Sequence, residues 1–510
     1  MRSTEVAFPE TTPAWAKVVD HTRCIGCHAC TTACKSENQV PLSVTRTYVK
    51  YVDSGAFPQA RRSFQVTRCN QCADPPCVAS CPTAAMHQRP DGIVDFDKAI
   101  CIGCKACIAA CPYDAIFINP DDRSAEKCNF CAHRIDVGLE PACVVVCPTQ
   151  ALLVGDMNDP LSAVSEIIHR DAVTVRRPEK ETRPKLYYLG GDQVTLDPLA
   201  ARRPEGGLYL WSEQGNVSHQ VPSGHPGPWN SSAAALLSYD IPHRAPWDWR
   251  VSLYTFTKSI AAGGYLMPLL LAVLGLLPWT SALWGWYAPT IGLVGLVATG
   301  LILVWDLERP ERFWMVLLKP QPRSWLVRGG FIITAYGALL AAHLGATVAG
   351  RADVTPRLAW IGGPLALMAA VYTAYLLAQA RARDLWQSPL LPAHLGVQAF
   401  LAGGGVLLLV NPLPELDGPL VGFFGLALVL HLALAVSEAT MGHPTAHAAL
   451  AARNMLRGRY AGFFWGGLVL SVVALALAGA TPPAAGACAL LGLLLFEHAY
   501  VQAGQSVPLA

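Results

Sequence analysis

The chain has 510 residues, of which 52% are hydrophobic and 15% charged, and its formal net charge is +2. These averages hide two unlike halves: charge and cysteine concentrate before about residue 245, and the remainder runs in long stretches of Leu, Ala, Gly and Val. The absence of a basic tail or lysine block argues against a nucleic-acid partner, and the change in composition predicts a soluble part followed by a membrane part.

The opening stretch from Met1 to Asp20 has no apolar core and no twin-arginine pair. It does not read as a secretory signal, so the first half is expected to be made and loaded with metal in the cytoplasm. Sixteen of the 17 cysteines then fall between Cys24 and Cys147 in four groups of four. The groups are Cys24, Cys27, Cys30, Cys34; Cys69, Cys72, Cys77, Cys81; Cys101, Cys104, Cys107, Cys111; and Cys128, Cys131, Cys143, Cys147. A disulfide framework would scatter its cysteines over a secreted scaffold, whereas tight C-x2-C pairs require reduced, metal-bound thiolates.

The first and third groups read C-x2-C-x2-C-x3-C, the spacing in which three near thiolates hold one iron–sulfur cube and the fourth holds its neighbour. Cys24-Ile25-Gly26-Cys27-His28-Ala29-Cys30 and Cys101-Ile102-Gly103-Cys104-Lys105-Ala106-Cys107 are near copies, the mark of an internal repeat. Pro82, Pro112 and Pro148 follow the last ligand of three groups, and Lys35 takes that place in the first. Short β-type runs such as Gly92 to Asp97 precede groups, and helical stretches follow them. Two ferredoxin-like units, one inserted in the other, fit this order. Zinc is the rival occupant of C-x2-C pairs, but zinc ribbons seldom use three cysteines at x2-x2 spacing followed by x3-C-P.

Residues 20 to about 155 resemble the iron–sulfur subunits of molybdopterin oxidoreductases of the dimethyl-sulfoxide and polysulfide reductase type. The resemblance includes Lys127-Cys128-Asn129-Phe130-Cys131 and Glu140-Pro141-Ala142-Cys143. It implies four [4Fe–4S] clusters with crossed ligand sets. Cluster one would take Cys24, Cys27, Cys30 and Cys147, and cluster two Cys128, Cys131, Cys143 and Cys34. Cluster three would take Cys69, Cys72, Cys77 and Cys111, and cluster four Cys101, Cys104, Cys107 and Cys81. It also implies a separate catalytic subunit carrying a molybdenum or tungsten bis-pterin group. No pterin, nicotinamide or flavin motif is visible here, so this chain is not expected to act on the primary substrate.

The organisation expected is a four-cluster ferredoxin-like domain over 1–182, an extended strap over 183–245 and a membrane domain over 246–510. Arg183 to Leu189 reads as one strand of the strap, and Pro222-Ser223-Gly224-His225-Pro226-Gly227-Pro228 as its loosest stretch. The fold class is thus an α+β double ferredoxin-like domain followed by an all-α membrane domain. Eight apolar segments are long enough to span a bilayer, near 251–277, 288–305, 328–348, 357–379, 393–411, 419–437, 461–479 and 484–504. Loops on the side of the soluble half carry ten arginines and lysines, and the opposite loops carry only Arg351 and Arg357. That bias places the cluster domain on the cytoplasmic face of a bacterial-type inner membrane.

The membrane half resembles the NrfD-like, quinone-reactive anchors of polysulfide reductases. The matching stretches are Thr257 to Gly263, Asp306 to Phe313 and Ala503 to Leu509. The family folds as two four-helix bundles and binds a membrane quinone near the iron–sulfur side. Ionisable groups inside a span are site candidates. Lys258, with Tyr254 one turn before it on the same face, and Asp306 at the close of the second span are therefore proposed quinone contacts. Tyr372 matches a quinone-contacting tyrosine of the family, whereas Thr255 falls near the place of its first-span histidine. Each has a plainer reading: Lys258 snorkelling to the interface, Tyr254 and Tyr372 as packing aromatics, Asp306 pairing with Arg309 or Arg312. His343, His431 and His498 lie in spans without a pairing motif, so no haem is expected, and Cys488 reads as a small packing residue.

The leading expectation is an electron-transfer and quinone-reactive membrane subunit of an oxidoreductase complex. Two rivals differ in class: a redox-driven proton translocator using Glu438, His431 or Lys258, and a passive anchor passing electrons to a soluble carrier.

Overall fold

The computed structural model describes residues 12–55, 58–202, 235–410 and 417–510. Within the soluble half, helix Ala29–Glu37 packs on Ala142–Val145, and helix Pro76–Ser80 packs on Ala106–Ala110. The first pair joins the cysteine groups at opposite ends of the region, and the second joins the two groups between them. The hairpins Met86–Gln88 with Val94–Phe96 and Ile116–Ile118 with Ala125–Lys127 complete the inner unit. The outer unit closes around it, with Trp15–Asp20 antiparallel to Leu152–Asp156. This is the nested ferredoxin-like order read from the repeat.

The stretch expected as a strap behaves differently. Leu186–Leu189 pairs in parallel with Trp15–Asp20, inside a sheet that also holds Leu152–Asp156 and Val173–Thr174. Ala235–Tyr239 joins a second sheet beside Thr47–Ser54, which in turn pairs with Arg61–Arg68. Both late strands bury alternate apolar side chains, among them Leu186, Tyr188, Ala235 and Leu237. A four- or five-residue strand has no apolar face large enough to announce itself in sequence, yet it completes a sheet edge and so covers unpaired main-chain groups. The cluster-bearing unit therefore continues past residue 182. The run Pro222 to Pro228 lies outside the described residues.

Among the described residues, seven helices are long and apolar enough to cross a membrane. They are Trp249–Val273, Leu283–Trp305, Trp325–Val348, Thr355–Gln379, Leu391–Val410, Gly418–Thr440 and Pro482–Gly504. An eighth crossing arises only if Ala446–Leu456 and Ala461–Leu477, bent by 65° against each other, count as one span. The break falls at Arg457-Gly458-Arg459-Tyr460, where a glycine and two charges interrupt the apolar run. The first span packs against the second, fourth, fifth and last, and so joins the earlier helices to the later ones. Its crossing with the fifth is so close that a Cβ on Gly263 would collide with the Ala399 carbonyl oxygen. Small residues permit such contact between apolar helices, for which tight packing is the main attraction in lipid.

Side chains of the membrane half reach main-chain carbonyls of the soluble half. Arg309 donates to the carbonyls of Asp122 (2.7 Å) and Lys98 (2.6 Å). Gln321 reaches Val78 O, Ser324 reaches Ser80 O, and Gln379 reaches Ala79 O. At Gly103 the chain adopts φ of +69°, and an added Cβ would lie 2.6 Å from Glu308 Cβ. Glycine there serves both the left-handed backbone and the close seam, where Glu308 N–H donates to Gly103 O (3.2 Å).

Candidate functional site

The fold gathers the cysteines across groups. Cys24, Cys27, Cys30 and Cys147 line one cavity, and Cys81, Cys101, Cys104 and Cys107 line another. Cys34 faces Cys128, Cys131 and Cys143 closely enough for their charges to interact, and Asn38 Nδ2 stands 3.8 Å from Cys34 Sγ and 3.7 Å from Cys131 Sγ. Cys77 faces Cys69, Cys72 and Cys111 in the same way. Each quartet thus combines three near cysteines with one from a distant stretch.

Donor chemistry suits a highly charged metal group. Burial pushes the Cys30 thiol up to about 11 and Cys34 up to about 12, so these sulfurs ionise only when a cation replaces the proton. Among the described residues no three Cys, His, Asp or Glu side chains converge on a point where a single metal ion would sit. Three near thiolates joined by one from a distant stretch suit a four-iron cube, which spreads its ligands around a larger body.

The quartets form a row. Cys30 of the first neighbours Cys143 of the second, Cys69 of the third neighbours Cys128 of the second, and Cys107 of the fourth neighbours Cys77 of the third. The row starts near the surface, where Cys27 is exposed, and ends at the membrane half, where Trp247 Nε1 donates to Cys104 O (3.2 Å). Buried cations line it. Arg68, 1% exposed, donates from one terminal nitrogen to Cys143 Sγ (3.0 Å), while its Nε and other terminal nitrogen have no hydrogen-bond partner among the described residues. Lys17 Nζ sits 4.1 Å from the centre of the Phe130 ring and has no hydrogen-bond partner among the described residues. Burial opposes ionisation of Cys143, but Lys17 and Arg68 together hold its thiol below the usual range. Lys127 is fully buried between Val94 O and Cys128 O.

Where the row meets the membrane, Lys105 pairs with Asp306 (3.2 Å) and Glu308 (3.5 Å). Arg250 Nε stands 3.6 Å from the same carboxylate oxygen, Asp306 Oδ1. Asp306 is therefore engaged with the cluster domain, not with Arg309 or Arg312, whose side chains are taken by main-chain carbonyls. It lies on the cluster side of Tyr254, near enough for its charge to be felt there.

The structure does bring Tyr254, Lys258 and Tyr372 together inside the helices. Lys258 is 0% exposed, so it does not snorkel; its Nζ donates to Ala370 O (2.6 Å) and Thr373 Oγ1 (2.8 Å) and stands 5.2 Å from the Tyr372 ring centre. The Tyr254 hydroxyl is buried beside Thr373 without a well-formed hydrogen bond. Tyr372 packs flat on Gly329, where any side chain would strike its ring.

Three residues that sequence reasoning passed over join this region. Glu497, on the last span, accepts from Thr255 Oγ1 (2.8 Å) and is the charge partner of Lys258. His394 Nε2 lies 3.0 Å from His431 Nδ1, and its Nδ1 lies 3.4 Å from Glu438 Oε2. Gln398 lines the same cavity as His394, Glu438 and Glu497. An acidic residue within an apolar run was the available signal for Glu497, whereas His394 and Gln398 gain meaning only from the helices beside them. His343 packs apart, between Tyr265 and Trp284, and His498 lies against Phe463.

A row of buried thiol quartets seated on a stack of apolar helices is the build of a membrane-bound iron–sulfur protein. Residues 61–157 match the 4Fe-4S dicluster domain and residues 239–505 match the polysulphide reductase NrfD family. The chain belongs to the NrfD family and carries the dicluster domain fused ahead of its membrane part. Relatives match the cluster half. A tetrathionate reductase subunit of Salmonella typhimurium is 44% identical over 207 residues, covering 39% of this chain and 80% of the relative. A polysulfide reductase component of Wolinella succinogenes is 43% identical over 178 residues, covering 34% and 93%. Protein NrfC of Escherichia coli K12 is 40% identical over 178 residues, covering 34% and 80%.

Proposed function

We propose that this chain is the electron-transfer and quinone-reactive subunit of a membrane oxidoreductase complex. The observation that carries the reading is the row of quartets running from an exposed end to the seam beside Lys258, Tyr254 and Tyr372. The four crossed ligand sets would hold four [4Fe–4S] clusters, which when bound supply one-electron carriers. Cys24, Cys27, Cys30 and Cys147 stand at the end open to a partner, and the partner is a catalytic subunit of the molybdenum or tungsten bis-pterin class. Support for that partner comes from the relatives, which are named as parts of tetrathionate and polysulfide reductases.

The protein's own side chains do the rest. Lys105 and Asp306 fix the last quartet against the membrane half, and Trp247 holds the Cys104 carbonyl. Lys258 and Tyr372 offer hydrogen-bond donors to quinone oxygens, with Tyr254 beside them. The helices would form two four-membered bundles, the first ending with the span Thr355–Gln379. The charge bias of the arginine-rich loops that grip the cluster domain supports a cytoplasmic position for it.

The test is direct. Protein purified without oxygen should contain about sixteen iron atoms, from four cubes, and a membrane quinol should reduce its clusters in a reaction that a quinone analogue blocks. Markedly less iron removes the four-cluster reading. Full iron with no quinol reaction favours a passive anchor.

A further inference from the structure

A buried polar chamber lies in the membrane half, away from the thiol quartets. Its cavity has room for an ordered water and is lined by Thr255, His394, Gln398, Glu438, Glu497 and Tyr500, with apolar side chains around them. Glu438 is 5% exposed, Glu497 3% and Gln398 2%. Yet Glu438 Oε1 and Oε2, Glu497 Oε1 and Gln398 Oε1 have no hydrogen-bond partner among the described residues. His394 Nδ1 is also unbonded, because its 3.4 Å approach to Glu438 Oε2 is poorly aligned. Unsatisfied carboxylates inside an apolar bundle are costly, so they require water or a proton to complete them.

The chamber has a direction. Rising 1.5 Å per residue, Glu438 lies about 3 Å from the end of its helix, His394 about 5 Å from the start of its own, Glu497 about 10 Å from the end of the last span and Lys258 about 13 Å into the first. These four helix ends all lie on the cluster-domain side. Gln502 donates to Asp248 O (2.9 Å), tying the end of the last span to the start of the first. Thr445 donates to Asp384 Oδ2 (2.7 Å), tying the sequel of the sixth to the approach of the fifth. Glu497 then links the chamber to Lys258. Beyond Lys258 the backbones of Gly263, Ala399 and Gly403 meet too closely for a side chain, and the next polar groups, Tyr336 and Tyr265, are bonded to Ala261 O and His343.

We infer that Glu438, His394 and Glu497, with water in the chamber, form a one-sided proton path from the cluster-domain face to Lys258. The inference rests on the quinone reading above. Reduction of one quinone takes two electrons and two protons and gives one quinol. The electrons come along the quartets, and the protons come by this path from the aqueous phase on the cluster-domain side; quinol oxidation returns both by the same routes. Carboxylates and imidazole suit the task because each accepts and releases a proton at short range.

The experiment uses the full-length, cluster-loaded protein in liposomes with the cluster domain outward. Duroquinol is the donor, a one-electron dye is the acceptor, and pH dyes are placed inside and outside. E438Q and E497Q should each slow duroquinol turnover about tenfold or more and raise the solvent isotope effect, with E438D recovering much of the rate. Cluster spectra after dithionite and binding of a quinone analogue should match the parent, a combination that a merely structural role would not produce. Proton release should register outside only. Parental turnover in both variants overturns the path, and a proton signal inside replaces it with a route through the membrane. If the parent binds no quinone analogue and oxidises no quinol, the quinone reading itself fails and the path goes with it.

Discussion

Replacing Arg68 by methionine removes a buried positive charge while keeping most of the side chain's volume. The guanidinium touches Cys143 Sγ at 3.0 Å, and a cube that Cys34, Cys128, Cys131 and Cys143 would hold is taken for this purpose as centred about 6.5 Å from the charge. With an effective dielectric of about 20, a unit charge at that range favours an added electron by about 2.5 kcal/mol. At about 59 mV per tenfold change for one electron, the midpoint potential of this cluster should fall by about 110 mV in R68M. Cys30, in the neighbouring quartet, also feels Arg68, so that cluster should shift the same way by less. The assay is a potentiometric titration followed by electron paramagnetic resonance on protein whose iron content equals the parent's. A midpoint that stays within about 20 mV, or rises, would refute the claim that the buried Arg68 charge favours an added electron at the second quartet.

Three other outcomes follow from the geometry. K258M and Y372F should each depress quinol-coupled turnover by about tenfold or more while leaving cluster spectra unchanged; stopped-flow reduction of the clusters by quinol reads the first and iron content the second. D306N leaves Lys105 with its weaker partner Glu308, and losing one member of a buried pair costs about 3–5 kcal/mol, so the seam should open to proteolysis and quinol reduction of the clusters should slow, with dye reduction kept. His243 is held up to about 9 by Asp114 and Asp240 against the opposing effect of burial. Because this folded value exceeds the ordinary 6.5, its stabilisation, about 3 kcal/mol, is complete below the ordinary value and disappears as pH rises through about 9. The melting temperature should drop between pH 6 and 10 in the parent, and H243Q should lack most of that drop.

The thiol sites were legible because ligand spacing is a local property: three cysteines within seven residues wrap one body whatever the rest of the chain does. Their crossed partners were not readable from spacing, since Cys147 reaches Cys24 only through the outer unit's closure; there the family resemblance implied the sets, and the fold brings cysteines of distant groups side by side. The repeat itself held a further clue. His28 and Lys105 occupy equal places, yet His28 meets Tyr51 at a half-buried site while Lys105 is buried against Asp306, 201 residues on. No periodicity reports a pair so far apart. Lys258 and Tyr372 stood out as polar groups in apolar runs, and the fold places them together. Glu497 and His394 needed neighbouring helices to acquire partners, and the late strands Leu186–Leu189 and Ala235–Tyr239 needed a sheet edge to complete.

The seam between the halves has one more implication. Arg309, Arg312, Gln321, Ser324 and Gln379 all grip carbonyl oxygens of the soluble half, which every residue type possesses. Such a clasp reads the path of the chain and is blind to its lettering. Surface substitutions around Lys98, Ala99 or Asp122 should leave the joint intact, whereas a one-residue deletion there would shift the oxygens that Arg309 and Arg312 hold out of register and loosen the joint on that side.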